Sequence, residues 1–284
     1  MVSKSGAANI IPISLDDVEN WDQDLIKVKS NRRKIEYYFT LSPILPLYIL
    51  ANFPDVEIIT YLDADLLFFS DPDVLYRELG DNSIFIIGHD YSEEIEDRFK
   101  GHGRFNVEYL SFRNDDKGVG CLERWGEQCK SWCYDRVEEG KYADQAYLDE
   151  WPDRYKELVV SKNTGAGLAP WNCSKHELTL KDTELYVGTD KLVFYHFHGI
   201  RILSRCFISL NLKSYGAALL PEIKASLYRR YIDEIRETYA WLKPVNTGVI
   251  GYADKVIGKR FKLSSRRPVL ERLINLSHSL YFVC

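Results

Sequence analysis

Glu57-Ile-Ile-Thr-Tyr-Leu-Asp-Ala-Asp-Leu-Leu-Phe-Phe69 decides how this chain is read. A run of apolar, β-branched and aromatic residues is interrupted by two aspartates two positions apart, and then resumes. On an extended strand, residues i and i+2 point to the same side. A strand over 57–69 therefore predicts that Asp63 and Asp65 aim both carboxylates at one point. Two carboxylates beside so much apolar surface are costly unless something compensates them. A divalent cation is the natural compensation, and carboxylate oxygens suit Mg²⁺ or Mn²⁺. The expectation is a strand end that holds a metal ion.

Outward from this stretch, strand and helix patterns alternate. Ile10–Ile13 reads as a short strand and 15–53 as interrupted helix, with Lys29, Arg32, Arg33 and Lys34 forming a basic cluster. Asp71-Pro72 reads as N-cap and first helical residue of a helix that stops at Gly80. Ser83–Gly88 and Phe105–Phe112 read as strands, 117–139 and 143–151 as helices, and Leu158–Ser161 and Leu192–Phe197 as further strands. Such alternation predicts an α/β fold with a mostly parallel sheet flanked by helices. Residues 1–212 are read as the α/β domain and 213–284 as a helical, basic C-terminal region. Residues 254–284 carry seven basic residues against Asp254 and Glu271, +5 in all, which reads as a solvated helical face or as a patch (255–272) for anionic lipid headgroups.

The chain has 284 residues, a net charge of −5 and a composition ordinary for a globular protein, so nucleic acid is not an expected partner. Its six cysteines form no C-x-x-C pair, so they read as reduced thiols rather than a zinc site. No stretch reaches the length of a membrane helix and no signal peptide is visible, which gives a cytoplasmic expectation.

Two metal chemistries compete at Asp63 and Asp65. One is a nucleotide-sugar site in which the ion bridges a diphosphate. The other is a phosphohydrolase whose first aspartate is the nucleophile in D-x-D-x-[TV]. Leu67 stands at the fifth position, and the later acidic pair Asp115-Asp116 reads as a helix start, so the phosphohydrolase is the weaker reading.

Tyr61-Leu-Asp-Ala-Asp-Leu-Leu-Phe-Phe69 resembles the D-x-D signature of GT-A glycosyltransferases. Further segments fit in order: Lys29-x-x-Arg32-x-x-x-Glu36-Tyr-Tyr-Phe-Thr40, Gly103-Arg-Phe-Asn106-Val, Ser111-Phe-Arg-Asn114, Asp144-Gln-Ala-Tyr-Leu-Asp-Glu-Trp-Pro152, Gly165-Ala-Gly-Leu-Ala-Pro-Trp-Asn172 and Tyr195-His-Phe-His-Gly199. Together they look like a bacterial family of nucleotide-diphospho-sugar transferases, over about residues 10–200. The resemblance implies a hexosyltransferase that uses Mn²⁺ (or Mg²⁺) and a nucleotide-diphospho-sugar donor. Its acceptor would be a glycan or lipid-linked molecule in surface polysaccharide synthesis, made at the inner face of the membrane.

The same resemblance assigns roles. Asp63, Asp65 and His196 or His198 are the expected metal ligands. The two histidines are read as facing opposite sides of a strand, so that one of them reaches the ion. Arg32 is expected on the diphosphate or sugar, its guanidinium fork matching phosphate oxygens, with Lys29 and Arg33 as second choices. Asn106, Gly165, Gly167 and Asn172 are expected around the donor sugar. Asp144 and Gln145 are the catalytic candidates near the reacting carbon. Trp171 reads equally as a sugar-stacking or a buried ring. The GT-A strand that usually precedes these motifs and binds the base is not found, so the alternative is a non-catalytic or truncated protein that binds a nucleotide sugar without turnover.

Overall fold

The structure is a computed structural model; it describes residues 9–202, 207–242 and 280–282. In chain order it has helices α1 (Leu15–Trp21), α2 (Asp24–Ser30) and α3 (Lys34–Asn52), strands β1 (Ile58–Leu62) and β2 (Leu66–Phe68), α4 (Asp73–Leu79), β3 (Ile84–Gly88), α5 (Glu93–Glu96), β4 (Phe105–Arg113), α6 (Asp116–Ser131), α7 (Trp151–Arg154) and β5 (Leu158–Val160). Then follow β6 (Leu178–Lys181), β7 (Glu184–Val187), β8 (Asp190–Lys191), β9 (Phe194–His196), β10 (Arg201–Ile202), β11 (Phe207–Ser209), α8 (Pro221–Leu242) and β12 (Leu280–Phe282). The class is mixed α/β, with a partly parallel sheet flanked by helices.

The main sheet runs β1-β4-β3-β5. Only β3 and β5 are parallel; β1 and β3 both pair with β4 antiparallel. The expected mostly parallel sheet is thus corrected. The reason lies in β4: its nine residues run back between two strands of the opposite direction. Its neighbours β1 and β3 are apolar and short, so pattern alone does not reveal their direction.

β3 shows why continuous apolar runs make central strands. Ile84 and Ile86 face one core with Leu122, Trp125 and Trp151, while Phe85 and Ile87 face another with Leu75, Leu79 and Phe194. Both faces are covered, so every position is apolar. A third core gathers Leu168, Trp171, Tyr195, Phe197 and Ile208 with Ile223, Leu227 and Tyr228 of α8.

Several expected boundaries move. The single strand 57–69 is two strands, β1 and β2, separated by a turn at 63–65. β1 stays in the main sheet, whereas β2 leaves it to pair with β9. Residues 10–13 form no strand. α6 ends at Ser131 rather than 139, because Trp132 is extended. The helix expected over 143–151 is a short 3₁₀ turn, Ala146–Glu150, followed by α7. α4 starts one residue later than expected: Pro72 takes the cap position, while Asp71 Oδ1 accepts from Asp73 N–H. Its end at Gly80, φ 54°, is where the sequence puts it.

Cys121, Cys129, Cys133 and Cys173 are buried free thiols; Cys206, Cys284 and the basic stretch 255–272 lie outside the described residues. Among the described residues no helix is long and apolar enough to cross a membrane.

The start of α6 gives a packing test. Asp115 caps it, accepting from Lys117 and Gly118 N–H, and is itself held by Ser83. A Cβ on Gly118 would lie 2.1 Å from the carbonyl oxygen of Arg113, whereas one on Gly120 would meet nothing within 4 Å. Gly118→Ala is expected to lower the melting temperature clearly. Gly120→Ala is expected to hold or raise it, since alanine is favoured over glycine in a helix interior by about 0.5–1 kcal/mol. Equal melting of the two variants would contradict this packing.

Candidate metal centre

The turn between β1 and β2 does what a continuous strand cannot. β1 is tied to β4, and Asp63 N–H extends that ladder to the carbonyl of Glu108 (3.0 Å). β2 is tied to β9 in the register Leu66↔His196, and Asp65 O accepts from Phe197 N–H (2.8 Å). The two aspartates are thus anchored to different sheets, and they close on His196. Its Nε2 lies 3.0 Å from Asp65 Oδ1 and 3.9 Å from Asp63 Oδ2. Ligand atoms of Asp65, His196 and His198 all lie within 4.8 Å of one another.

Both histidines therefore reach the cluster, which corrects the expectation that they face opposite ways. They are two residues apart, and an extended backbone sends such a pair to the same side. Trp171 packs edge-on against both rings, at 5.1 Å from His196 and 5.4 Å from His198. At 5% exposure it is a buried wall, its Nε1–H donating to the carbonyl of His89.

Sequence reasoning missed Glu108. Its side chain is fully buried, and Oε2 lies 2.5 Å from His196 Nδ1. It sits where β4 bulges: the register with β3 shifts between Phe85 and Ile87, so Ser111 and Asn106 become partners two β3 residues apart. Val107 and Leu110, three apart, consequently bury in the same core. Bulges of this kind re-aim side chains beside sites. The only sequence signal was a charged residue inside a strand, Phe105-Asn-Val-Glu-Tyr-Leu.

The site is overloaded with negative charge. Burial opposes a charge on His196, yet hydrogen bonds to Asp65 and Glu108 push its pKa up to about 10. Burial raises the carboxyl pKa of Glu108 and of Asp63, each only partly offset by His196. Burial also works against Asp65, but its contacts with His196 hold it below the ordinary value. His198 is lowered by burial and by the neighbouring His196. No lysine or arginine among the described residues relieves the three carboxylates. A cation with mixed carboxylate and imidazole ligands fits this donor set, Mn²⁺ better than the oxygen-preferring Mg²⁺.

Behind Asp63 runs a chain of hydroxyls. Tyr61 Oη donates to Asp63 Oδ1 (3.1 Å), and Ser42 Oγ lies 3.4 Å from Tyr61 Oη. Ser42 Oγ also donates to Asp144 Oδ2 (2.6 Å). The Asp144 backbone is pinned by Trp125 Nε1–H (2.8 Å). Asp144 is thus joined to the centre through Ser42 and Tyr61. Its neighbour Gln145 instead donates to the carbonyl of His102 (2.6 Å).

The other expected donor-site residues are placed as follows. Asn106 Oδ1 accepts from Glu108 N–H, and its buried Nδ2 finds no partner among the described residues. Gly167, φ 80°, passes so close to Glu108 that a Cβ would lie 2.8 Å from Oε1, which also finds no such partner. A Cβ on Gly165 would meet the carbonyl of Lys191 at 2.1 Å. Asn172 is spent on holding the loop, donating to the carbonyls of His89 and Gly167 and accepting from Ala169 N–H.

The basic cluster is engaged elsewhere. Lys29 pairs with Glu19 at 2.7 Å, and Arg33 with Glu36 and Asp135. Arg32 stacks 3.9 Å over the Tyr134 ring and donates to Asn31 and the Lys130 carbonyl. None of these contacts reaches the carboxylate–histidine cluster.

Asp144 gives a pH test. Burial, aided by the charge of Asp63 and opposed by the Ser42 hydrogen bond, pushes its pKa from 3.8 to about 7. Between about pH 4 and 7 the unfolded chain loses this proton while the folded one keeps it, so folding stability falls as pH rises through that window. Above pH 7 the cost is constant, a few kcal/mol. Asp144→Asn keeps an acceptor for Ser42 but cannot ionise. With EDTA present, its stability advantage over the parent is expected to grow from pH 4 to 7 and then level off, as read by urea unfolding at a series of pH values. A constant difference would contradict a buried, proton-holding Asp144.

The chain is similar to two proteins of Bacillus subtilis (strain 168). It is 29% identical over 249 residues to uncharacterized protein YfnD, covering 87% of this chain and 78% of YfnD. It is 33% identical over 203 residues to uncharacterized protein YfnF, covering 69% of this chain and 66% of YfnF. No protein-family model matches the chain.

Proposed function

We propose that this chain is a metal-dependent glycosyltransferase of GT-A architecture, moving a sugar from a nucleotide-diphosphate donor to a glycan or lipid-linked acceptor. One observation carries the reading: Asp65, His196 and His198 converge with Asp63 at the end of β1, with excess negative charge that asks for a cation. The ordered motifs around it, from the D-A-D turn to His196-Phe-His-Gly199, are the second support. When bound, the ion supplies Lewis-acid stabilisation of the charge that develops on a departing diphosphate.

The protein's own residues prepare the centre. Glu108 holds His196 by Nδ1, which leaves Nε2 directed at Asp65. A carboxylate behind a ligating histidine fixes the ring and makes it a better ligand, an effect of about 10–100-fold in metal affinity. Tyr61 orients Asp63, and Trp171 packs edge-on against both histidines. Surface polysaccharide synthesis at the cytoplasmic side of a membrane is the setting this reading favours.

Mn²⁺ titration followed by electron paramagnetic resonance tests the centre first. Asp65→Ala and His196→Ala are expected to abolish tight binding, and Glu108→Gln to weaken it by about 10–100-fold. Turnover is then assayed with Mn²⁺ and a panel of UDP-, GDP-, CDP- and dTDP-sugars, by nucleotide release. Release by the parent and its loss in Asp65→Ala supports the transferase. Equal release by both proteins overturns it. Metal and nucleotide binding without release by the parent selects instead a protein that binds the donor without turning it over.

A further inference from the structure

By resemblance Asp144 is a catalytic candidate, yet the fold buries it. It is 4% exposed, and Ser42, which it meets, is 2% exposed. The residue before it, Ala143, is held at φ 46°, a left-handed conformation that a non-glycine residue keeps only when its surroundings impose it. With its backbone carbonyl taken by Trp125, Asp144 is fixed facing Ser42. Ser42 is unusual too. A serine or threonine inside a helix commonly returns its hydroxyl to the carbonyl one turn earlier. Thr40 of the same helix does so, donating to the Glu36 carbonyl at 2.9 Å. Ser42 Oγ reaches across instead, to Asp144 Oδ2 at 2.6 Å and Tyr61 Oη at 3.4 Å. Tyr61 Oη in turn donates to Asp63 Oδ1 at 3.1 Å.

This chain has three contacts, but each of its two hydroxyls carries a single hydrogen. With Asp144 ionised, Ser42 gives its hydrogen to Asp144, and the contact with Tyr61 is left without one. With Asp144 protonated, the carboxyl donates to Ser42, Ser42 to Tyr61 and Tyr61 to Asp63. Each contact then has its hydrogen, and all of them point toward Asp63. The surroundings favour the protonated form. Asp63, Tyr61, Tyr142 and Cys129 are the titratable groups around Asp144, and no lysine, arginine or histidine among the described residues pairs with it. Burial, the largest cause of its raised pKa, is the same whether or not the centre holds an ion.

We propose that Asp144 is a positioning residue of the metal centre and not a catalytic carboxylate: it is the hydrogen-donating end of a chain through Ser42 and Tyr61 that holds Asp63 in place as a ligand. This role rests on the metal-centre reading and deepens it. Asp63 is the carboxylate that needs such support, since it lies 3.9 Å from His196 Nε2 against 3.0 Å for Asp65.

The test is the Mn²⁺ affinity of the full chain, read by electron paramagnetic resonance at about pH 6, where Asp144 keeps its proton. Ser42→Ala and Asp144→Ala are each expected to weaken binding about tenfold, as changes behind a metal ligand do. The double variant is expected to bind no more weakly than Ser42→Ala alone, because Asp144 acts through Ser42. Asp144→Asn is expected to bind as the parent does, because its amide N–H takes the place of the carboxyl O–H. If Asp144→Ala does not fold, Asp144→Leu, which fills the space and has no hydrogen to give, stands in for it. The role is overturned if Ser42→Ala or Asp144→Ala binds as tightly as the parent, if their effects add, or if Asp144→Asn binds as weakly as Asp144→Ala; in each case a parent that binds Mn²⁺ leaves the metal centre standing. A parent that binds no Mn²⁺ overturns the metal centre itself and this role with it.

Discussion

One imidazole stands among three carboxylates, and much of this structure exists to keep it there. His196 meets Asp65 and Glu108 through its two ring nitrogens, with Asp63 a little farther off. A single imidazole cannot satisfy three carboxyl groups in a partly dry pocket. Exposure follows the same gradient, from Glu108 at 1% to Asp63 at 31% and Asp65 at 38%. The carboxylate that only a histidine touches is sealed, and those that would meet an ion are open.

Three backbone devices produce this arrangement. The turn at 63–65 divides one apolar run between two sheets, so each aspartate is anchored by a different strand partner. The bulge in β4 turns Glu108 out of the core and under His196. The loop through Gly165 and Gly167 approaches so closely that side chains there would collide with Lys191 and Glu108. Each device is a local irregularity in an otherwise well-packed sheet. Three hydrophobic cores pack around them and hold those irregularities in place.

The hydroxyl chain Tyr61–Ser42–Asp144 extends the centre into the helices. Ser42 belongs to α3, and Asp144 is pinned by Trp125 of α6, so a carboxylate on a strand end is tied to the two helices that cover the sheet. The aromatic wall at Trp171 gives the opposite face.

Much of this was legible in the residues alone. The strand patterns at 57–69, 83–88 and 105–112 located the strands of the main sheet, although 57–69 proved to be two. Asp63, Asp65 and the His-x-His pair were visible as chemistry out of place in apolar sequence. Asp115-Asp116 was visible as a helix start. Strand direction was not, because short apolar strands read alike in either sense. Neither was the partner of His196: Glu108 lies 88 positions away, and only a bulge in the hydrogen-bond register aims it there. Arg32 and Lys29 had the right chemistry for phosphate, and the fold gives them the Tyr134 ring and Glu19 as protein partners. The sequence by itself determined which groups are costly to bury; the tertiary structure decided which of them meet, since contacts between distant segments depend on register, bulge and turn rather than on residue type.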